Sequence, residues 1–215
     1  MINIFKFWST IGRAETIHPL DRPVFDRLNN SHGFDLRCLP CNFGGKLRTA
    51  PVVLLYLSPG FSETDVRIAR SKEGQERYVR QRTGRLGFTD HHPEAARWRK
   101  ERLAWLGEPD VIKNKVAIAN IGAYHSRTFT DHHVLAALPS SRAMLDWAQS
   151  VLFPQAERGE KMIICMRAAN FWGLEPGRRY GKALFAPQTT RGGHMRKGKL
   201  REEIETTAKR YLRSV

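Results

Sequence analysis

The run Val52-Val53-Leu54-Leu55-Tyr56-Leu57 constrains the fold of this chain more than any other stretch. Every position is apolar, so both faces of the extended segment must be covered. It stops at Ser58-Pro59-Gly60. Three more runs behave alike. Val116 to Ala119 ends at Asn120, Lys161 to Met166 forms a third, and Lys182 to Pro187 a short fourth. Helical patterns lie between and after them. Ser62 to Arg82 opens on Ser-Glu-Thr-Asp, the spacing of a capping box. Glu94 to Leu106 carries Trp98, Leu103, Trp105 and Leu106. Ser140 or Ser141 caps a helix with Met144, Leu145, Ala148, Val151 and Leu152 at helical spacing. Leu200 to Leu212 sets Leu200, Ile204, Ala208 and Tyr211 along one side. Fully apolar strands alternating with helices predict an α/β fold. The expected form is a three-layer α/β/α sandwich with a central, mainly parallel four-stranded sheet. Residues 1–50 read as irregular. The expected organisation is an N-terminal extension, 1–45, packed on a core domain, 46–215.

Charge is the strongest global property. Lys and Arg number 36 against 21 Asp and Glu, a net charge of +15. Such a chain seeks a polyanion, with nucleic acid first and an acidic membrane surface second. With 41% hydrophobic residues in 215, global disorder is excluded. No apolar stretch approaches the roughly 18–20 residues of a membrane span. No clean signal pattern opens the chain, so a soluble, cytoplasmic monomer is expected. The three cysteines are an odd number, which argues against a disulfide framework. Cys38 and Cys41 have the spacing of a zinc or redox pair. The other potential ligands (His32, His91-His92, His132-His133 and Cys165) are scattered, and Pro40 with Gly44-Gly45 does not suit a helix opening at Cys41. No metal and no cofactor are expected. No Gly-rich nucleotide loop follows a strand, and Leu57-Ser58-Pro59-Gly60 is not a nucleophile elbow.

In open α/β sheets, ligands bind beyond the carboxyl ends of the strands. The first run delivers Ser58, Pro59, Gly60 and Phe61 there. The second delivers Asn120, then Tyr124, His125 and Ser126. The third delivers Arg167 and Asn170. The fourth leads into a basic glycine loop with Arg191, Gly192, Gly193, His194, Arg196, Lys197 and Lys199. Backbone N–H groups and cations together suit a phosphate clamp. A disordered basic loop is the plainer alternative.

These strand ends carry a family resemblance. Leu55-Tyr56-Leu57-Ser58-Pro59-Gly60 resembles motif A of the uracil-DNA glycosylase superfamily, where a strand runs into Gly-Leu-Asn-Pro-Gly or Gly-Gln-Asp-Pro-Tyr. Val116 to Ser126 resembles the motif whose strand ends in a base-reading Asn. Gly87-Phe88-Thr89-Asp90 resembles the segment with the base-stacking aromatic, and Leu184 to Gly193 stands where the family has its His-Pro-Ser loop. The likeness runs in order from Pro51 to Leu200 and looks like a divergent bacterial branch. It implies that a base is flipped from the duplex and its glycosidic bond hydrolysed. On that resemblance Ser58 takes the water-positioning place, with Pro59 and Gly60 as the turn beside it. Phe88, or its rival Phe61, stacks on the base, and Asn120 reads the base edge.

Two departures bear on chemistry. Ser58 replaces a carboxylate or amide, and Ala186 or Pro187 stands where a His is common. Asp65, Glu63 and Asp90 are alternative carboxylates, although the capping box also explains Asp65. His125 and His194 are candidate leaving-group donors. Small residues at both places imply a roomy pocket. The expectation is a monofunctional DNA glycosylase for a bulky or damaged base, such as a hypermodified cytosine of phage DNA, in repair or antiviral defence. A catalytically silent module that binds a base without cleavage is the alternative.

Overall fold

The computed structural model describes residues 2–28, 32–129, 132–190 and 192–213. In chain order the elements are α1 (Ile4–Ser9), α2 (Arg22–Leu28), β1 (Phe43–Gly45), β2 (Val52–Tyr56), α3 (Glu63–Arg70), α4 (Lys72–Gln81), α5 (Pro93–Leu103) and α6 (Pro109–Lys115). They continue as β3 (Val116–Asn120), α7 (His133–Ala137), α8 (Pro139–Trp147), α9 (Phe153–Arg158), β4 (Met162–Cys165), β5 (Arg178–Tyr180), β6 (Leu184–Ala186) and α10 (Lys199–Arg213).

The four apolar runs are β2, β3, β4 and β6, adjacent and parallel. The sheet order is β1-β3-β2-β4-β6-β5. The expected four-stranded sheet is therefore the centre of a mixed six-stranded one. Its edges, β1 and β5, run antiparallel to their neighbours. Each is three residues long, Phe-Gly-Gly and Arg-Arg-Tyr, with no apolar run to announce it.

Alternate side chains of the central strands enter two separate cores. Val53, Leu55, Ala117, Ala119 and Ile163 pack with α1, α2, α8 and α9. Val52, Leu54, Val116, Met162 and Ile164 pack with α5, α6 and α10. Helices thus cover both sides of the sheet. Val52 through Leu55 have no exposed surface. Fully burying such a side chain stabilises the fold by about 1.5–3 kcal/mol.

Residues 1–45 hold more structure than their sequence suggests. Asn3 Oδ1 accepts the N–H groups of Phe5 and Lys6, each at 3.1 Å, and so starts α1. Ile4, Phe5 and Trp8 then join the core of Val53. The helix expected over 62–82 breaks at Ser71. Gly74 presses against the Ile68 carbonyl so closely that a Cβ would stand 2.1 Å from it. Ser71 Oγ accepts the Gly74 N–H at 3.0 Å and starts α4 afresh. Helix α8 begins at Pro139, so Ser140 and Ser141 lie inside its first turn and do not cap it. Asp21 Oδ1 takes the Ser140 N–H instead, at 2.9 Å. No helix among the described residues is long and apolar enough to cross a membrane.

The chain starts the parallel set at β2, adds β3 on one side and returns to β4 on the other. The carboxyl ends of these strands therefore open at a topological switch point.

Candidate functional site

The loops after β2 and β3 keep pairing past the strands. Gly122 N–H donates to Leu57 O at 2.8 Å, and Ser126 N–H to Pro59 O at 3.2 Å. Ser58, Pro59 and Gly60 stand at this junction, with Ser58 half-buried. Gly122 has to be small: a Cβ there would meet Leu135 at 2.9 Å and the Ser58 Cβ at 3.5 Å.

This pairing brings His125 to the loop after β2. Its Nδ1 lies 2.6 Å from the Gly60 carbonyl oxygen. A carbonyl only accepts, so Nδ1 carries the proton and the neutral ring's basic nitrogen is Nε2. The same Nδ1 lies 3.7 Å from Asp65 Oδ2. Asp65 is the hub of a wider cluster. Its Oδ2 accepts from Ser62 N–H at 2.7 Å and Ser62 Oγ at 2.9 Å, the reciprocal half of a capping box. Its Oδ1 accepts from His92 Nε2 at 2.7 Å.

His92 was readable only as half of a scattered histidine pair. It stands directly before Pro93, the first residue of α5, and in the neutral ring its Nδ1 accepts the Ala95 N–H at 3.2 Å. A residue placed before Pro at a helix start is the signal that marks such a cap. Glu94 Oε2 lies 3.3 Å from the same Nδ1. Burial acts to raise the Asp65 pKa, but the His92 hydrogen bond and the nearby His125 and Ser62 groups hold it below the usual carboxylate value. Burial likewise pulls His92 down, yet Asp65 and Glu94 leave it above its usual value.

A pH dependence follows. The stability from His92 is complete below pH 6.5, its ordinary pKa, and is lost as pH rises through the raised folded value. The melting temperature of His92→Gln should therefore lie below that of the native chain near neutral pH and converge on it in alkali. A gap that stays constant with pH would contradict this pairing.

Asn120 ends β3 and is buried. Its Nδ2 donates to Cys41 O at 2.9 Å, and its backbone N–H to Asn42 O at 2.8 Å. One amide proton is thus committed to the segment before β1. Phe88 is placed elsewhere. Its backbone bonds to Lys113 O, ahead of β3, and its ring lies against Gly44 and Gly45. The Arg99 guanidinium covers the ring at 5.0 Å. Phe88 is core, at the amino half of β3, and is not brought to the carboxyl edge. Phe61 is at that edge, half-buried.

The ends of β4 and β6 build a second part of the site. A cavity of about 480 Å³ lies between their loops, with Arg167, Asn170, Gln188, Thr189 and Arg196 in its wall. Ala168, also in the wall, is the one non-glycine with positive φ among the described residues, at 59°. Such a backbone costs energy and is held by its surroundings. Backbone hydrogen bonds join the described residues of the basic loop. Thr190 N–H donates to His194 O at 2.8 Å and Arg196 N–H to Gln188 O at 2.9 Å. Arg102 of α5 donates to the Gly192 carbonyl and, at 2.6 Å, to His194 Nε2. Gly193 is buried in the turn, while Arg196, Lys197 and Lys199 are exposed. Arg191 lies outside the described residues. Tyr56, the last residue of β2, links the two parts. Burial pushes its hydroxyl pKa up, and the nearby Arg102 and Arg167 charges oppose that.

Cys38 and Cys41 remain thiols, because burial pushes them up to about 12 and about 11. Among the described residues no group of three or more His, Cys, Asp and Glu side chains is arranged to hold a metal. Comparison of the chain with protein-family models, with curated proteins and with solved structures finds no match.

Proposed function

We propose that this chain is a DNA glycosylase that takes a bulky or modified base out of the stack and hydrolyses its glycosidic bond. The observation that carries this reading is the imidazole of His125, pinned through Nδ1 to Gly60 O beside Asp65, on the same sheet edge as a cation-walled cavity. Hydrolysis needs a base for water and donors for the departing base anion. Ser58 is a poor base but holds a water. His125 Nε2 supplies the basicity that Ser58 lacks, and Asp65 positions the imidazole. Asn120 retains Oδ1 and one amide proton for a base edge. The neighbouring cavity of about 480 Å³, lined by residues after β4 and β6 and not by Ser58, Asn120 or His125, falls within the roughly 300–1,000 Å³ of ligand pockets. Arg196, Lys197 and Lys199 suit the DNA backbone.

The test is a panel of DNAs carrying modified bases, read by mass spectrometry for free base and by gel for abasic sites. Release of a bulky base with little release of uracil is the expected result. Release from none of them would leave the silent binding module, a reading favoured by the covered Phe88 and by the Asn120 bond to Cys41. Binding itself should be steeply salt-dependent. Replacing Arg196 and Lys197 together by Ala should reduce the slope of log affinity against log salt by about 2, one for each phosphate no longer neutralised. An unchanged slope would place the backbone-binding cations outside this loop.

A further inference from the structure

The carboxyl edge holds an aromatic arrangement that hydrolysis does not use. Three chain segments meet where β2 and β3 end: Asp35 bridges to His125, and Gly60 bridges to Ser126. Each segment brings one side chain to the same place, namely Arg37, Phe61 and Arg127. The Arg127 guanidinium carbon lies 4.7 Å from the Phe61 ring centre, and that of Arg37 lies 5.8 Å away. The Arg37 and Arg127 side chains are 55% and 72% exposed, so the group faces solvent.

Carboxylates hold the two guanidiniums. Asp35 Oδ2 is 2.5 Å from Arg37 Nη2, and Glu63 Oε1 is 3.0 Å from Arg127 Nη2 and 3.9 Å from Arg37 Nη2. Two cations face two anions, so the group is locally neutral and unsuited to clamp a phosphate. It suits flat partners instead. Aromatic rings and guanidinium planes both stack on nucleobases, with little regard to sequence. The net charge of +15 supplies the attraction that brings a polyanionic strand to such a surface.

We propose that Phe61, Arg37 and Arg127 form a stacking platform for an unpaired base on a single DNA strand, next to the base drawn into the site. The proposal rests on the nucleic-acid part of the functional reading and needs no cleavage. Neighbouring bases lose a stacking contact when one base is extracted, and on an unpaired strand the platform would hold one of them.

The experiment compares two labelled oligodeoxynucleotides of equal length by fluorescence anisotropy, one with bases and one abasic throughout. Phe61→Ala should weaken binding of the base-bearing strand about tenfold, the scale of a single base–aromatic stack. It should leave the abasic strand and the salt slope unchanged, because no phosphate-binding cation is removed. Phe61→Trp should bind like the native chain. Equal weakening on both strands, or none on either, overturns the platform. Tighter binding of an oligoribonucleotide with the same Phe61 dependence overturns the DNA assignment. The two proposals fail separately. Strand binding that depends on Phe61 with no base released from any DNA sinks only the glycosylase reading. Base release with Phe61→Ala indistinguishable from the native chain on both strands sinks only the platform.

Discussion

His125→Ala is expected to slow base release about 100- to 10,000-fold, the range that a positioned acid or base contributes. DNA affinity should be unchanged, because His125 is buried and contacts protein. The tautomer of His125 sets this role. With Nδ1–H given to Gly60 O, the neutral ring has one basic nitrogen, and the nearby Asp65 carboxylate stabilises the ring once protonated. His125→Asn is the informative partner variant. An amide can still donate to Gly60 O, so the loop keeps its shape while the base is lost. Single-turnover measurements of abasic-site formation, with the melting temperature, separate the two roles. Both variants should lose the rate, and only His125→Asn should keep the native melting temperature. A variant that keeps the native rate would move the base to another residue.

Asp65→Ala is expected to lower the melting temperature by about 10 °C. Loss of the helix cap costs about 1 kcal/mol. Breaking the ion pair with His92 strands a mostly buried group, and one-sided removal from a buried pair costs about 3 kcal/mol or more. For a chain of this size each kcal/mol is about 2–4 °C. The side chains of Asp65 and His92 are 14% and 13% exposed, so solvent screens the pair only partly. The Asp65 contribution has the sign of a depressed carboxyl: present above its unfolded pKa and lost as pH falls through the folded value. The difference between Asp65→Ala and the native chain should therefore shrink in acid. Calorimetry at several pH values checks this. Asp65→Asn should fall between the two, because it keeps an acceptor for Ser62 and loses the charge.

The parallel centre of the sheet was legible because its strands are apolar at every position but Asn120, the last of β3. Only a segment covered on both faces needs that pattern, and helices must supply the cover. The edge strands β1 and β5 were not legible. With three residues each, their existence depends on a partner and not on their own side chains. The N-terminal helix α1 was hidden for a similar reason. Six residues are too few for a periodic signal, and its stability comes from packing Ile4, Phe5 and Trp8 on the sheet.

Ser58, Pro59, Gly60, Asn120 and His125 were legible as residues at or beyond the carboxyl ends of β2 and β3, because each follows or closes an apolar run. Phe88 shows where a local likeness fails. A Gly-Phe segment reads the same whether its ring faces a ligand or a pair of glycines. Here β1 pairs with β3, and Gly44 with Gly45 leave the space that the ring fills. His92 was missed because its partner is 27 residues away in sequence.

By itself, the sequence determined the α/β class, the four central strands, the residues that leave the carboxyl ends of those strands and the net charge of +15. Each follows from local periodicity or from summed charge, neither of which needs a partner. The tertiary structure alone decided which groups meet there. The pairing of the loops beyond β2 and β3 sets His125 on Gly60 O and helps gather Arg37, Phe61 and Arg127, while Asp65 of α3 meets His92 at the start of α5. These are meetings of distant segments, fixed by strand order and register, and no window of sequence contains them.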